Sequence, residues 1–522
     1  MRFNAYSMSK AVDVYNVPRG AAYLTTQQII TYATYFIFYA LLARVLTTLE
    51  VTQTGVLLAT QAAFVALTQL GLPSSATRYI SSNIARNDPE TAGAVARTIL
   101  KLCAMTGGAG FVIAAIVSPI IGPSFLGRPD GGSLLLITFA SGLMLDFVLL
   151  FGAYFVGVGS YARSLYQNAT YVPLSRGLGL VLALLGYKVL GIVLGWAIGG
   201  LVALVLSFYL WHGRLPSQSS HPVKPLLMFS LPVFGAALIV FGQQYGDFAI
   251  LTALFGILPS NGIYYVIVAS VSSLSVLWIP VTQALYPALS ASHATEETQA
   301  ISERLSIAFR LTNLAVLPFG ASLAAIAPTI IELIYGPEYV SQWTIFAILA
   351  LASIFTAQGA ILTTSLQAVG RTRQVLLVTM AATAVGLAAV AITAKFLGPL
   401  GGGIGRIILG AGIVILARRS MESSAKTHVG SALPVAVLLA AGVGIPLATV
   451  DYLLIGRLTP LMRVPILLVV FALAFVTISR TFRIFRASDF GILKDALPHR
   501  FHPQLRAIEH LIVGRRKDKD HI

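Results

Sequence analysis

Residues 248–295 read FAILTALFGILPSNGIYYVIVASVSSLSVLWIPVTQALYPALSASHAT, a run without Asp, Glu, Lys or Arg. Residues 339–370 and 427–450 also lack these charged side chains. A helix of about 20 apolar residues crosses the roughly 30 Å hydrocarbon core of a bilayer, and soluble cores do not supply several such runs in one chain. The apolar residues are continuous and do not alternate with polar ones, which excludes a membrane β-barrel. The chain is therefore predicted to be an α-helical integral membrane protein.

The long apolar runs divide the chain into about fourteen predicted membrane spans. They lie near residues 20–46, 52–72, 98–121, 133–157, 165–187, 190–211, 226–252, 260–287, 307–333, 342–368, 374–395, 402–417, 430–450 and 462–480. Of the 35 Lys and Arg residues, 27 fall in alternate gaps or the C-terminal tail, six fall in or near the other gaps, and Arg176 and Arg406 fall within spans. Because short cytoplasmic loops carry the excess of Lys and Arg, both termini are predicted to be cytoplasmic.

A weak internal repeat divides the spans into two lobes. Shifting the first half by 207 residues places Gly55 on Gly262 and Pro73 on Pro280. Six spans fit in one period, an even number, so both copies enter the membrane with the same polarity, as in many transporters. The predicted fold is an all-α polytopic membrane protein with about 14 transmembrane helices, in two parallel six-helix lobes plus two C-terminal helices.

The predicted segments follow from these spans. They are a cytoplasmic N-terminal segment (1–19), an N-lobe with spans 1–6 (20–212), a cytoplasmic inter-lobe linker (213–225), a C-lobe with spans 7–12 (226–420), two extra spans (430–480) and a basic cytoplasmic tail (481–522).

The composition argues against several other classes of protein. The net charge is +16, but the positive residues lie in short loops and a tail, where they orient helices and contact anionic membrane lipids. Nucleic acid is therefore not an expected partner. The single cysteine, Cys103, excludes an intrachain disulfide, and the eight His residues show no metal-ligand spacing. No Ser/His/Asp arrangement and no usefully spaced carboxylate pair is present, so no catalytic site, metal site or cofactor is predicted.

Arginines within or beside the spans are the first candidates for a substrate site, because a charge at the centre of a membrane helix costs about 2.5–3.5 kcal/mol on insertion scales. Arg176 is the deepest of them and is predicted to face a cavity or to form an ion pair. Arg44, late in span 1, either snorkels to the outer interface or faces the cavity. Arg78, at the inner end of span 2, either orients the helix or contacts a headgroup at the cytoplasmic mouth.

Other polar residues within spans form a second group of candidates. Asp247, in the middle of span 7, is expected to pair with an arginine or to titrate and couple transport to protons. Asp146 in span 4 has the same interpretations, together with a structural hydrogen bond. Arg406, early in span 12, is a candidate for the same coupling or ion-pair group. Tyr35 and Tyr39 of span 1 either stack on sugars, pack between helices or lie at the membrane interface.

The order and spacing of several motifs give the chain a family resemblance. The motifs are Leu42-Ala43-Arg44-Val45-Leu46, Gly55, Gly71-Leu72-Pro73-Ser74-Ser75-Ala76-Thr77-Arg78-Tyr79-Ile80, Asp247, Asn261-Gly262-Ile263-Tyr264-Tyr265, Tyr335-Gly336-Pro337-Glu338-Tyr339 and Leu366-Gln367-Ala368-Val369-Gly370-Arg371. With them the chain resembles the polysaccharide flippases, the lipid-linked oligosaccharide exporters of the multidrug/oligosaccharidyl-lipid/polysaccharide superfamily. The resemblance runs from Arg19 to about Arg419.

The resemblance implies two lobes around a cationic, inward-open cavity that takes an isoprenyl-pyrophosphate-linked oligosaccharide. Arg44, Arg78 and Arg176 would supply the positive field, and glycan assembly enzymes are candidate partners at the cytoplasmic membrane. A cation-coupled drug exporter of the same superfamily is the alternative, although span 1 has an arginine and no acid. A membrane glycan polymerase is a further alternative, but it needs a sizeable outer loop that the spacing of the spans does not provide.

Overall fold

The computed structural model describes residues 17–211, 221–294, 298–422 and 429–485, together with residues 503, 504, 507, 509 and 512. Residues 1–16 and 486–502, and residues 213–220 of the predicted linker, lie outside the described residues. The described residues form two compact units, divided between Ser270 and Val271.

The first unit contains helices α1 to α8 and all but the last two residues of α9. Their bounds are α1 Val17–Val45, α2 Thr48–Gln69, α3 Leu72–Ala85, α4 Pro89–Leu126, α5 Gly131–Gly157, α6 Tyr161–Leu182, α7 Lys188–Leu210, α8 Val223–Phe255 and α9 Pro259–Ser272. A π-helical turn, Ala183–Tyr187, joins α6 to α7. Cytoplasmic or outer orientation is not fixed by these bounds and stays a prediction.

The second unit continues from a 3-10 turn, Ser273–Leu277. Its helices are α10 Ile279–Ala294, α11 Thr298–Ala325, α12 Ala327–Ile334, α13 Trp343–Ala368, α14 Thr372–Leu397, α15 Pro399–Glu422, α16 Leu433–Leu454 and α17 Pro460–Thr481. A second 3-10 turn, Pro337–Gln342, precedes α13. Helices α16 and α17 pack against each other and on α11 and α12.

The described residues contain 13 helical stretches that are long and apolar enough to cross a membrane. One of them, Tyr161–Leu210, has 50 residues and corresponds to predicted spans 5 and 6 together. A break at Gly186, where φ is +99°, divides it into the two helices α6 and α7. The described chain carries helices and no strand. The prediction of an all-α polytopic membrane protein is confirmed.

Two of the predicted spans are longer than the helices that they describe. Predicted span 260–287 runs past the end of α9 at Ser272 into the 3-10 turn and α10, which has Pro280 in its first turn. Predicted span 307–333 includes the break between α11 and α12 at Ile326. Hydropathy does not register these breaks, because the residues on both sides of each are apolar.

The boundary between the compact units differs in position from the predicted linker at 213–225. Helix α8 packs on α2 and α3 within the first unit. The Ser75 hydroxyl donates to the Leu226 carbonyl at 3.2 Å, and Gly71 leaves no room for a side chain beside the Ser230 carbonyl. The two parallel six-helix lobes at the predicted boundaries stay a prediction.

The repeat-equivalent glycines Gly55 and Gly262 both lie where α2 meets the end of α8 and the start of α9. A Cβ added at Gly55 would lie 3.0 Å from the Phe248 ring and 3.2 Å from the Tyr265 ring. A Cβ at Gly262 would lie 2.4 Å from the Thr48 carbonyl oxygen. Each glycine therefore permits the close approach of the helix that carries the other.

A stripe of glycines fixes helices α6 and α7 as a tight pair. Gly191, Gly195 and Gly199 recur every fourth residue on one face of α7, which is the small-residue spacing that lets membrane helices approach closely. A Cβ at Gly195 would lie 2.3 Å from the Gly179 Cα, and one at Gly199 would lie 2.6 Å from the Ser175 Cα. This contact determines the surroundings of the residue that follows Ser175.

Candidate functional site

Arg176 lies inside the first unit with 5% of its surface exposed. Its guanidinium carbon lies 5.0 Å from the Trp196 ring centroid and 5.3 Å from the ring centroids of Tyr35 and Phe38. Aromatic faces attract a cation at such distances through their quadrupoles. Three aromatic rings from α1 and α7 therefore surround the charged group, and together with Arg176 we call them the arginine site.

The helices that build the arginine site are held in register by local contacts. The Gly195 and Gly199 contacts press α7 against α6, which brings Trp196 beside Arg176. Helix α1 packs on α6, and the Thr31 hydroxyl donates to the Asn168 side-chain oxygen at 3.0 Å. That bond lies about one helical turn from Tyr35, so it links α1 to α6 close to the ring that covers the guanidinium.

The arginine site holds several buried N–H donors with no acceptor. The Nε and Nη1 atoms of Arg176 and the indole Nε1 of Trp196 are buried and make no hydrogen bond within the described residues. An unsatisfied buried donor costs about 1–3 kcal/mol, and more when the group is charged. Among the described residues no carboxylate lies within ion-pair distance of Arg176. The site therefore suits an anion with several acceptor oxygens.

The two predicted tyrosines of span 1 are part of an aromatic series that begins at the arginine site. The rings of Tyr35 and Tyr39 stack with centroids 6.4 Å apart. The hydroxyls of Tyr39 and Tyr265 are hydrogen-bonded at 3.0 Å, and the Tyr265 ring lies 4.9 Å from that of Phe248. The aromatic series thus runs from α1 to α8 and α9, and it offers both flat apolar faces and phenol groups.

Two of the other predicted cations of the first unit lie away from the arginine site. Arg44 is exposed and lies six residues beyond Phe38, about 9 Å further along α1. Arg78 is exposed on α3, with its guanidinium carbon 4.3 Å from the Phe229 ring centroid and 5.8 Å from that of Tyr79.

The predicted acids are both buried in the first unit, and Arg406 lies in the second unit. Asp247 accepts a hydrogen bond from the Tyr264 phenol of α9. The Oδ2 atom of Asp146 lies 2.5 Å from the Thr68 hydroxyl oxygen of α2. Arg406 is half-buried on α15. The arginine site therefore brings together Arg176, Tyr35 and Tyr39 from the predicted set.

Sequence reasoning missed Phe38 and Trp196, which complete the arginine site. Phe38 is one of several aromatic residues of span 1, and nothing in the sequence around it distinguishes it from the others. Trp196 follows Gly195 in the stripe of α7, and the four-residue glycine spacing was the available signal for a helix that packs tightly beside Arg176.

A second buried arginine, Arg463, lies in the second unit and has acidic partners. Its Nη1 donates to the Thr329 hydroxyl at 2.6 Å and its Nη2 donates to the Glu332 carboxylate at 2.5 Å. The Asp451 carboxylate lies 3.7 Å from Nη1 and accepts from the Thr329 hydroxyl at 2.5 Å. This ion cluster joins α12, α16 and α17, so it fastens the C-terminal helix pair to the second unit.

Comparison with known proteins places the chain in a family. Residues 17–293 match the polysaccharide biosynthesis protein family, and the chain belongs to it. Among curated proteins, none matches the chain.

Solved structures that resemble the chain include three transporters. An inward-facing MATE family multidrug resistance transporter of the MOP superfamily is 17% identical, with 77% of this chain and 98% of that chain covered and a TM-score of 0.63. The lipid II flippase MurJ, in an inward closed conformation, is 13% identical, with 88% and 98% covered and a TM-score of 0.64. A MOP superfamily transporter from Pyrococcus furiosus is 17% identical, with 80% and 96% covered and a TM-score of 0.54.

At these identities the likeness concerns the fold. The chain has the fold of the MOP superfamily, whose solved members here are transporters or flippases. The family match over residues 17–293 confirms the predicted polysaccharide family, and the solved structures confirm the predicted all-helical membrane fold.

Proposed function

We propose that the chain is a flippase that moves an oligosaccharide linked to isoprenyl phosphate or pyrophosphate across the cytoplasmic membrane by alternating access. The product would serve surface polysaccharide or glycoprotein glycan assembly. The observation that carries the proposal is the arginine site, where the buried guanidinium of Arg176 has donors without acceptors. The family, which is one of polysaccharide biosynthesis proteins, supports the same substrate class.

The charge of the site selects the headgroup of the substrate. A phosphate or pyrophosphate crossing the low-dielectric interior needs positive partners, because charges interact much more strongly there than in water. The planar guanidinium fork donates two parallel hydrogen bonds to such a group, which a lysine ammonium does not. Arg176 therefore provides the main headgroup contact, and the Trp196 indole N–H supplies a further donor.

The aromatic series beside the arginine site suits the sugars next to the phosphate. Tyr39 and Tyr265 combine a flat apolar face with a hydroxyl that hydrogen-bonds. Arg44 and Arg78, both exposed, add positive charge along the path, which raises the local concentration of an anionic substrate.

The proposed location and energy source follow from the same charges. The chain would sit in the cytoplasmic membrane with both termini cytoplasmic, where its excess Lys and Arg contact anionic lipids. Moving one elementary charge across the membrane is worth about 2.3 kcal/mol per 100 mV, enough to drive turnover of an anionic headgroup. Glycan assembly enzymes are the proposed neighbours, because they supply the lipid-linked substrate.

A cationic drug is a poorer fit to the arginine site than a lipid phosphate. Drug exporters of this superfamily need an acidic cavity, whereas Arg176 has no carboxylate within ion-pair distance in the described chain. A glycan polymerase needs a sizeable outer loop, and α4 and α5, for example, are separated by residues 127–130 alone.

The test is translocation by the full chain in liposomes that contain a defined undecaprenyl-pyrophosphate-linked oligosaccharide. Two charge-assisted hydrogen bonds are worth about 3–6 kcal/mol together, so Arg176→Gln should lower translocation at least about 100-fold. Arg176→Lys keeps the charge but loses the fork, and it should retain only part of the rate.

The matched control is Arg418→Gln, which removes an exposed arginine paired with Glu422 and should leave translocation unchanged. Wild-type rates in both Arg176 variants, with the protein still in the membrane, would refute the assignment. Loss of transport only with pyrophosphate-linked substrates, and not with neutral lipid glycosides, would identify the headgroup as the group bound.

A further inference from the structure

A second unusual polar group in the first unit is the carboxyl of Asp146, near the middle of α5. Its side chain is fully buried, with 0% exposed. Gly107 of α4 makes room for it, because a Cβ there would lie 2.8 Å from Leu143 Cδ1 and 3.4 Å from Asp146 Oδ2. The group thus lies in a space formed by α2, α4 and α5.

The two close contacts of the Thr68 hydroxyl bear on the protonation of Asp146. The Thr68 hydroxyl oxygen lies 2.8 Å from the Phe64 carbonyl oxygen and 2.5 Å from Asp146 Oδ2. A hydroxyl has one proton and can donate once. If Thr68 donates to Phe64, as threonines within helices commonly do, the contact with Asp146 is a hydrogen bond only when the carboxyl carries the second proton.

The surroundings of Asp146 also favour the neutral acid. Its other oxygen, Oδ1, is buried without a hydrogen-bond partner among the described residues. Burying a carboxylate without a cation costs several kcal/mol, whereas a neutral carboxyl in the same place costs far less.

The elements packed on α5 bring little charge to Asp146. Helix α2 contributes the Thr68 hydroxyl and α4 contributes the Cys103 thiol. Helices α3, α6 and α7 also pack on α5, and no Lys, Arg or His among the described residues lies within ion-pair distance of this carboxyl. The partners of Asp146 are therefore neutral, so a proton is the cation that the site can hold.

We propose that Asp146 is a proton-binding site within the first helix bundle, loaded in the conformation described here and closed by the Thr68 hydroxyl. The site lies apart from the arginine site and has no part in holding the phosphate. Its ligand is a proton that leaves when α2 separates from α5 and water reaches the carboxyl.

Helix α2 connects the proton site to the contact with α8 and α9. One end of α2 carries Thr68, and the other end carries Thr52, whose hydroxyl donates to the Leu258 carbonyl at 2.7 Å. Gly55 packs near the same end, against the Phe248 and Tyr265 rings. A displacement of α2 that opens this contact also changes the Thr68–Asp146 contact, which ties proton release to the conformational change.

The first test measures the proton directly, on the full chain in lipid vesicles at neutral pH. The infrared spectrum of wild type should contain the carbonyl stretch of a protonated carboxyl that Asp146→Asn lacks. The control is Asp130→Asn, because Asp130 is a surface carboxylate paired with Arg128 at 2.8 Å, and its removal should leave that band intact. A wild-type spectrum in which no such band disappears with Asp146→Asn would overturn the proposal.

A second variant tests the hydrogen-bond arrangement without removing the acid. Thr68→Val is nearly isosteric and deletes the acceptor of the carboxyl proton, so the band should remain and move to higher frequency. An unchanged band would overturn the arrangement.

The transport measurement rests on the proposed function, whereas the infrared measurements do not use a substrate. Asp146→Asn should abolish the response of translocation to a pH gradient, and an unchanged response would overturn the coupling. If the band is present but no lipid-linked oligosaccharide is moved, the proton site stands and the proposed function fails.

Discussion

The two buried arginines of the described residues should respond differently to the same substitution. Arg176 has aromatic neighbours and donors without acceptors, whereas Arg463 has one hydroxyl and two carboxylates around it. Replacement by methionine puts an unbranched apolar side chain at each position and removes the charge. The effect on stability depends on the charged and aromatic groups that remain around each position.

The expected magnitudes follow from the partners. Arg463→Met removes the cation beside the Asp451 carboxylate, which is 1% exposed, and breaking a buried ion pair in this way costs about 3–5 kcal/mol. Arg176→Met loses cation–π contacts worth about 2 kcal/mol each when desolvated, but it also removes a charge whose burial costs several kcal/mol. These two effects nearly cancel, so its stability should stay within about 1 kcal/mol of wild type.

The assay is thermal unfolding of the purified full chain in detergent, at one scan rate because membrane proteins unfold irreversibly and the midpoint depends on it. Arg463→Met should unfold well below wild type, and Arg176→Met should unfold near it while losing translocation. An equal loss of stability in both variants would refute the reasoning, because Arg176 would then be a structural residue and its donors would not mark a binding site.

Two further predictions concern helix packing and surface charge. Gly195→Leu should separate α7 from α6 and reduce the folded yield severely, because even a Cβ would lie 2.3 Å from the Gly179 Cα; Gly177→Leu, with open space around it, should be tolerated in the same expression assay. Hydrogen bonds from Arg128 lower the pKa of Asp130, so the stability that this pair contributes is present above the unfolded pKa and lost as the pH falls through the folded one. For this exposed pair, the free energies of unfolding of Asp130→Asn and wild type should therefore differ by less than about 1 kcal/mol at pH 7. Their unfolding midpoints should converge in acid, and a difference in midpoint that persists there would contradict the sign.

The arginine site illustrates how far sequence reasoning reached. Arg176 was identifiable because a charge within an apolar run is expensive and therefore informative. Its aromatic neighbours were not, since the residues that contact it come from spans 1 and 6, and span 1 alone carries several aromatic side chains. The contact depends on the helix rotation that the glycines of α7 impose.

The sequence analysis did not predict the ion cluster, because Asp451 and Arg463 lie at the ends of predicted spans, where charged residues are common. Arg463 counted among the few positive charges near the outer ends, and Asp451 lies at the end of the preceding span. Their pairing with Glu332 depends on the packing of α16 and α17 on α12, which no local pattern encodes.

The sequence by itself determined that the chain is helical and spans the membrane many times, because hydropathy and charge spacing are local properties to which the bilayer responds directly. Its motifs also placed it in a family of polysaccharide biosynthesis proteins. Only the tertiary structure decided which buried charges are paired. Arg463 lies beside two carboxylates, and Arg176 has buried donors without acceptors. Asp146 lies beside the Thr68 hydroxyl, which can accept a hydrogen bond from a protonated carboxyl. Those differences arise from side chains far apart in sequence that close packing brings within hydrogen-bond distance, so their chemistry appears only when the helices are assembled.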